Sequence, residues 1–229
     1  MKYIIDELSV FFPIYNEEKN IQNTINKTIP VLNKTAKKWE IILINDGSKD
    51  NTAKVLDKIK KDYPKNDIKI ITHNPNRGYG GALKSGLYNA KYQWITFTDS
   101  DGQFDFSEIT NFIKKQKVTQ SDIVIGYYLS RQVSKFTIFT SKIWEIIVFL
   151  LFGLRVTDID CGFKLINKKV VDNIPKLEAD RGAFISSELL IKAKKAKFKI
   201  SEIGVHHYPR IEGKATGRNI KVILKSFSD

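Results

Sequence analysis

Two carboxylates stand two residues apart in Asp99-Ser100-Asp101, directly after the apolar run Trp94 to Thr98. Alternate residues of an extended segment project to one side. Paired oxygen donors of this kind suit a hard cation, Mg²⁺ or Mn²⁺, with the rest of its shell left to water and phosphate oxygens. A cation held there would neutralise a diphosphate leaving group as charge develops on it. Gln103 follows closely. Three other polar segments come after apolar runs: Pro13-Ile14-Tyr15-Asn16-Glu17-Glu18, Asn45-Asp46-Gly47-Ser48-Lys49-Asp50, and Asn74-Pro75-Asn76-Arg77-Gly78-Tyr79-Gly80-Gly81. The last opens a helix whose first amides, with Arg77, suit a nucleotide phosphate. Its spacing matches neither the Walker loop nor the dinucleotide fingerprint, and a tight strand-to-helix turn is the plainer reading of the same glycines.

These segments need a frame that brings them together. Continuous apolar runs at 8–12, 40–45, 68–72, 94–98 and 122–127 read as buried strands. Between them lie helical stretches at about 18–37 (with a kink expected at Pro30), from a cap at Asp50 or Asn51 to Lys61, at 79–90 and at 106–117. The fold class is therefore α/β, a mostly parallel sheet flanked by helices. Ligands of such sheets bind beyond the carboxyl ends of the strands, where all four polar segments fall. After residue 128 the rhythm changes. A polar connector (130–134) precedes an apolar helical segment (135–154), then Asp158-Ile159-Asp160-Cys161-Gly162-Phe163-Lys164, short helices near 168–174 and 186–197, and a strand at 199–205. A basic tail with Arg210, Gly213, Lys214 and Gly217 closes the chain. The expectation is one domain over 1–229, with 1–127 carrying the four polar segments and 128–229 a modified C-terminal part.

Composition narrows the partners. The 229 residues carry 38 Lys+Arg against 25 Asp+Glu, a formal charge of +13, which favours polyanions. The lysines are spread over all the helices and no nucleic-acid-binding motif is present, so nucleic acid is not the expected partner. Phosphorylated substrates and an anionic membrane surface remain. A single cysteine, Cys161, excludes a disulfide framework and a cysteine zinc site. Arginine is scarce, at six against 32 lysines. Arg77, Arg131 and Arg210 lie in expected loops, where a planar fork would grip phosphate. The segment Leu8 to Tyr15 is too short for a signal peptide, and no run reaches the length of a membrane span. The expected location is cytoplasmic, peripheral at the cytosolic face of a membrane.

Five motifs in order resemble the family 2 glycosyltransferases of GT-A fold: Phe12-Pro13-Ile14-Tyr15-Asn16-Glu17, Asn45-Asp46-Gly47-Ser48 with Asp50 and Thr52, Asn76-Arg77-Gly78 with Gly81-Ala82 and Gly86, Asp99-Ser100-Asp101-Gly102-Gln103, and Cys161-Gly162-Phe163-Lys164. The last of these, Glu188 and Arg210 with Gly213-Lys214 resemble the branch of dolichyl-phosphate mannose synthase and the polyprenyl-phosphate glucosyltransferases. The resemblance implies an inverting, metal-dependent transfer of mannose or glucose from GDP-mannose or UDP-glucose to a polyprenyl phosphate. It implies that 1–127 binds the nucleotide sugar and 128–229 faces acceptor and membrane, and that Pro13, Tyr15, Glu17 and Asp46 hold the nucleoside, with Arg77 and Lys214 near the phosphates. Asp99 and Asp101 would bind the metal, with Gln103 close to it or to the sugar. Arg210 and Lys214 would close over the phosphates on a mobile loop. Asn45 departs from a common aspartate. The acceptor phosphate would meet Arg131, Lys135 and Ser141, beside Lys142, in a region usually richer in arginine.

An ionised phosphate acceptor needs no strong general base. The alternative acceptor, a sugar hydroxyl of a surface polysaccharide or glycoprotein, would need one, with Asp160 and Glu188 as candidates. The apolar segment from Phe136 to Leu151 would make a helix of about 24 Å, shorter than a ~30 Å hydrocarbon core. Phe136, Phe139, Ile143, Ile146, Leu150 and Leu154 fall on one stripe, flanked by Trp144, Lys135, Lys142 and Arg155. That pattern suits a helix lying in the membrane interface; a core or dimer helix is the plainer alternative.

Overall fold

The computed structural model describes residues 4–130, 135–180, 184–210 and 212, with 135–141 as helical backbone. Seven strands form one sheet: β1 (Ile5–Ile14), β2 (Ala36–Asn45), β3 (Ile68–Thr72), β4 (Trp94–Phe97), β5 (Ile123–Tyr128), β6 (Lys164–Asn167) and β7 (Ile200–Val205). The helices are α1 (Ile21–Thr35), α2 (Thr52–Asp62), α3 (Gly78–Asn89), α4 (Ile109–Thr119), α5 (Lys135–Phe152), α6 (Lys168–Asn173) and α7 (Phe184–Lys195), with a 3₁₀ turn at Phe106–Glu108 ahead of α4. The strand order is β3-β2-β1-β4-β6-β5-β7. All neighbours run parallel except β6, which is antiparallel to both β4 and β5. The α/β class and the mostly parallel sheet are as the sequence predicts.

The strands carry near-continuous apolar runs because both faces are covered. One face packs Val10, Phe12, Ile41, Leu43 and Phe163 against α1, α2 and α4. The other packs Phe11, Ile42, Ile44, Phe97 and Ile125 against α3 and α7. Phe11 and Phe97 stack with centroids 4.9 Å apart.

Several boundaries differ from the sequence reading. β1 extends through Pro13 and Ile14, which pair with Ile44 and Asn45. α1 begins at Ile21 because the Glu17 carbonyl accepts from the amides of Asn20 and Ile21. β2 starts at Ala36, four residues before its apolar run, since Lys37 and Lys38 lie on its exposed start. Asp50, rather than Asn51, serves the start of α2: its Oδ1 accepts from the Thr52 amide at 3.0 Å. β6 is a strand that the pattern did not show. It has four residues, opens on a lysine, and is defined by its pairing with β4 and β5, which no local period records. It also joins the C-terminal part of the chain to the centre of the sheet.

Candidate active site

The carboxyl ends of β1, β2 and β4 lie side by side, so Glu17, Asp46, Asp99 and Asp101 gather on one rim. Pro13 is a buried residue inside β1, and its carbonyl accepts from Ser100 Oγ at 2.8 Å. That bond ties the two-aspartate loop to β1. Tyr15 follows, half-buried. Glu17 accepts from Asn20 Nδ2 at 2.7 Å and pairs with Arg210. Burial raises its carboxyl above the usual range despite those partners.

Asp46 is held from two sides. Its Oδ1 lies 2.6 Å from His73 Nδ1 and accepts from the Arg77 amide at 2.8 Å. The other His73 nitrogen, Nε2, lies 2.8 Å from Ser85 Oγ. Asn45 shapes the turn, its Oδ1 accepting from the Ser48 amide at 3.0 Å. The asparagine therefore has a conformational task, and Asp46 is the acid of the pair. Arg77 caps α3 with its backbone, while its side chain is exposed.

Asp99 keeps some surface exposure, yet its carboxyl group is enclosed. Tyr79 Oη donates to its Oδ1 at 3.2 Å. Burial, and then the charge of Asp101, raise Asp99 to about 7. Asp101 accepts from the Gln103 amide through Oδ1 at 3.1 Å and from Arg210 Nη1 through Oδ2 at 3.3 Å. Arg210 thus bridges Glu17 and Asp101 with one guanidinium. Gln103 secures the segment that carries it. Its Nε2 donates to the Tyr208 carbonyl and its own carbonyl accepts from the Tyr208 amide, both at 2.8 Å.

The residues present fit a divalent cation. Asp99 and Asp101 are hard oxygen donors whose charges repel, and a positive group, the Arg210 guanidinium, already sits on Asp101. Among the described residues no histidine, cysteine or further acid joins them as a third ligand, which leaves the remaining positions to water and phosphate. Burial pushes the Cys161 thiol up to about 12, so it stays protonated and unreactive.

Other expectations land elsewhere. Arg131 and Lys214, with hinge glycines Gly213 and Gly217, lie outside the described residues. Lys135 and Ser141 fall in α5, with their side chains outside that description. Glu188 is not placed as a base. Its carboxylate accepts from the amides of Glu178 (2.8 Å) and Ala179 (2.9 Å) and pairs with Lys192. Burial alone would raise its pKa, but these donors outweigh burial and hold it below the usual range. It anchors the loop that covers the start of α3, where the Gly81 amide donates to the Asp180 carbonyl at 2.9 Å. A Cβ on Gly80 would stand 2.6 Å from the Ala179 carbonyl oxygen, so only glycine admits this loop.

A lowered folded pKa stabilises above the unfolded value and is lost as pH falls through the folded one. Glu188→Gln should therefore cost about 1–2 kcal/mol at pH 7. The gap in Tm from the wild type should close as pH falls below about 4. A gap that stays constant from pH 7 to pH 3 would show that the charge contributes nothing.

The sequence reading gave no role to His73, which holds Asp46, or to Tyr79, which holds Asp99, and quoted Lys164 only within the 161–164 motif. His73 carried a faint signal, a lone histidine straight after a strand and before Asn-Pro-Asn-Arg-Gly.

The profile of the family described as Glycosyl transferase family 2 matches residues 9–174. This chain belongs to that family. The dolichyl-phosphate beta-glucosyltransferase of Dictyostelium discoideum is 32% identical over 222 residues, covering 90% of this chain and 67% of that protein. The human protein of the same name is 30% identical over 224 residues, covering 90% and 68%. The undecaprenyl-phosphate 4-deoxy-4-formamido-L-arabinose transferase of Salmonella choleraesuis is 29% identical, covering 90% and 61%. In fold, this family 2 glycosyltransferase is similar to glucosyl-3-phosphoglycerate synthase of Mycobacterium tuberculosis, solved with Mn²⁺, UDP and phosphoglyceric acid. The TM-score is 0.67 at 17% identity, over 96% of this chain and 78% of that one. The fold class and the resemblance to the polyprenyl-phosphate branch stand on these likenesses.

Proposed function

We propose that this glycosyltransferase moves glucose from UDP-glucose to a polyprenyl phosphate at the cytosolic face of a membrane, with inversion at the anomeric carbon. The observation that carries the reading is the convergence of Asp99, Asp101, Glu17 and Arg210 on the rim of the sheet. The relatives' names favour glucose over the mannose that the sequence left open.

The nucleoside would lie over the ends of β1 and β2, against Tyr15, Glu17 and Asp46. Asp46 is fixed for that task by His73 and the Arg77 amide. Mg²⁺ or Mn²⁺ held by Asp99 and Asp101 would neutralise the departing diphosphate. Arg210 is a second source of positive charge, on a segment that Gln103 holds beside the aspartates. The acceptor phosphate, with its second pKa near 6, attacks as an anion and asks for no proton acceptor. The loop-anchoring role of Glu188 favours this acceptor over a sugar hydroxyl. Incubation with membrane lipid extract and labelled UDP-glucose or GDP-mannose tests the reading. An organic-soluble product from UDP-glucose supports it; a product from GDP-mannose alone overturns the choice of hexose.

Helix α5 supports the membrane part. No described helix is long and apolar enough to cross a membrane. Trp144 and Val148 turn inward, with Trp144 packed on Phe184 at 4.9 Å. Of the expected stripe, Leu154 is buried, while Ile143, Ile146 and Leu150 are exposed and Phe136 and Phe139 lie outside the described side chains. Exposure also extends beyond that stripe: Ile147, Phe149, Leu151 and Phe152 face outward, with Leu150 73% and Leu151 69% exposed. So large an apolar surface signals a contact, and an interface-lying helix fits it, with Lys195 Nζ over the Phe152 ring at 5.3 Å. Ile147→Glu with Leu150→Glu should abolish sedimentation with phosphatidylglycerol vesicles and leave Tm unchanged, because both side chains face outward. Binding undiminished in the folded double variant would contradict this.

A further inference from the structure

Lys164 is the first residue of β6 and its side chain is fully buried. A lysine in the central sheet is costly to bury, and an apolar residue would fill the same strand position more cheaply. Its ammonium donates to the carbonyls of Ile159, at 3.2 Å, and Cys161, and it lies 5.6 Å from the centre of the Phe97 ring. Phe97 is the last residue of β4, two before Asp99. The two carbonyls belong to the turn 158–162. That turn carries Asp158 and Asp160, with the Asp160 amide donating to Asp158 Oδ1 at 3.1 Å. It ends on Gly162, whose α-carbon presses on the catalytic rim: a Cβ there would stand 2.6 Å from Asp99 Oδ2. The buried ammonium therefore links the turn to the strand that presents Asp99. Core packing does not require such a link, because the β4–β6 pairing is made by backbone bonds.

We propose that Lys164 is a positioning residue for sugar transfer: it ties the 158–162 turn against the end of β4 and so fixes Gly162 beside the Asp99 carboxylate. The proposal rests on the reading of Asp99 and Asp101 as the donor-phosphate site. Small displacements of such a site are expensive, since a shift of about 1 Å can cost about 100-fold in rate. The ammonium sits beneath the turn, without surface exposure, so it acts through the turn rather than by touching substrate.

The test compares Lys164→Met and Lys164→Gln with wild type. Measured are Tm, amide hydrogen exchange of 158–163, UDP binding in the presence of Mn²⁺, and kcat and KM with UDP-glucose and a short-chain polyprenyl phosphate. Methionine removes the donor at similar volume. The expected result is an unchanged or higher Tm and at least tenfold faster exchange confined to 158–163. With it should come at least 30-fold lower kcat, while UDP affinity and donor KM stay within threefold. Glutamine keeps an N–H donor and should recover turn protection and most of kcat. If Lys164→Met does not fold, the glutamine variant decides: protection with near-wild-type kcat supports the tie, and full protection with kcat still lost overturns it. A folded Lys164→Met with unchanged exchange and kcat makes Lys164 a core residue only. Asp101→Asn, measured in parallel, separates the two ideas. Wild-type turnover in that variant sinks the donor-phosphate reading, whatever Lys164 does.

Discussion

Asp101→Asn should lower turnover by about 10²–10³-fold and leave the fold intact. The side chain stands on the loop after β4, outside both apolar layers, and its partners are the Gln103 amide and Arg210. Asparagine keeps the size and can still accept from Gln103. It removes one of the two charges that would hold a cation against the leaving diphosphate. Loss of the largely enclosed Asp101–Arg210 pair should cost about 1–3 kcal/mol of stability, so circular dichroism should stay near wild type and Tm fall only modestly while the rate collapses. The same pair predicts a pH effect. Asp99, raised to about 7, takes up a proton as pH falls through neutrality. Protons and metal then compete for one carboxylate, so half-saturating Mn²⁺ should rise as pH falls from 8 to 6. A metal requirement that does not change over that range, or full activity in excess chelator, would remove Asp99 from the cation site.

Arg210→Ala should lower kcat by about 10²-fold or more, with an opposite effect on bare metal binding. In the wild type the guanidinium occupies Asp101 and Glu17. A cation approaching Asp101 must displace or tolerate it. Alanine relieves that competition, so Mn²⁺ alone should bind several-fold more tightly while transfer slows. Arg210→Lys should recover only part of the rate, because an ammonium cannot span two acids as a planar fork does. Stability should fall by about 1–3 kcal/mol, since the side chains of both pairs are largely enclosed and Glu17 and Asp101 lose a charged donor. Glu17, already raised by burial, loses a partner that lowers it and should titrate higher still. Unchanged kcat together with unchanged Mn²⁺ affinity would reduce Arg210 to a surface contact.

The parts of this enzyme that the sequence revealed are those in which a local pattern and a functional need coincide. Apolar runs of five or six residues marked the parallel strands, and the polar segment after each marked the rim. Asp99 and Asp101 were legible because a short spacing follows a buried strand. What escaped was set by distance in the chain. Lys164 was visible as part of a motif, but it is 65 positions from Asp99, and its burial shows only once β6 pairs between β4 and β5. His73 reaches Asp46 across 27 residues, and Tyr79 reaches Asp99 across 20. The task of Glu188, a candidate base only for the alternative acceptor, stayed open for a related reason. A glutamate on a helix can act as a base or anchor a loop, and only the amides of Glu178 and Ala179 decide between them. The exposed face of α5 was legible as apolar, but its inward side, at Trp144 and Val148, was fixed by packing near α7.

The most direct test of the account offers the purified protein three acceptors with labelled UDP-glucose and Mn²⁺: a polyprenyl phosphate, the same lipid as its free alcohol, and a soluble oligosaccharide. The account predicts product from the phosphate alone, inverted at the anomeric carbon and absent with Asp101→Asn. Glucosylation of the alcohol or the oligosaccharide at a rate equal to or above that of the phosphate would contradict it.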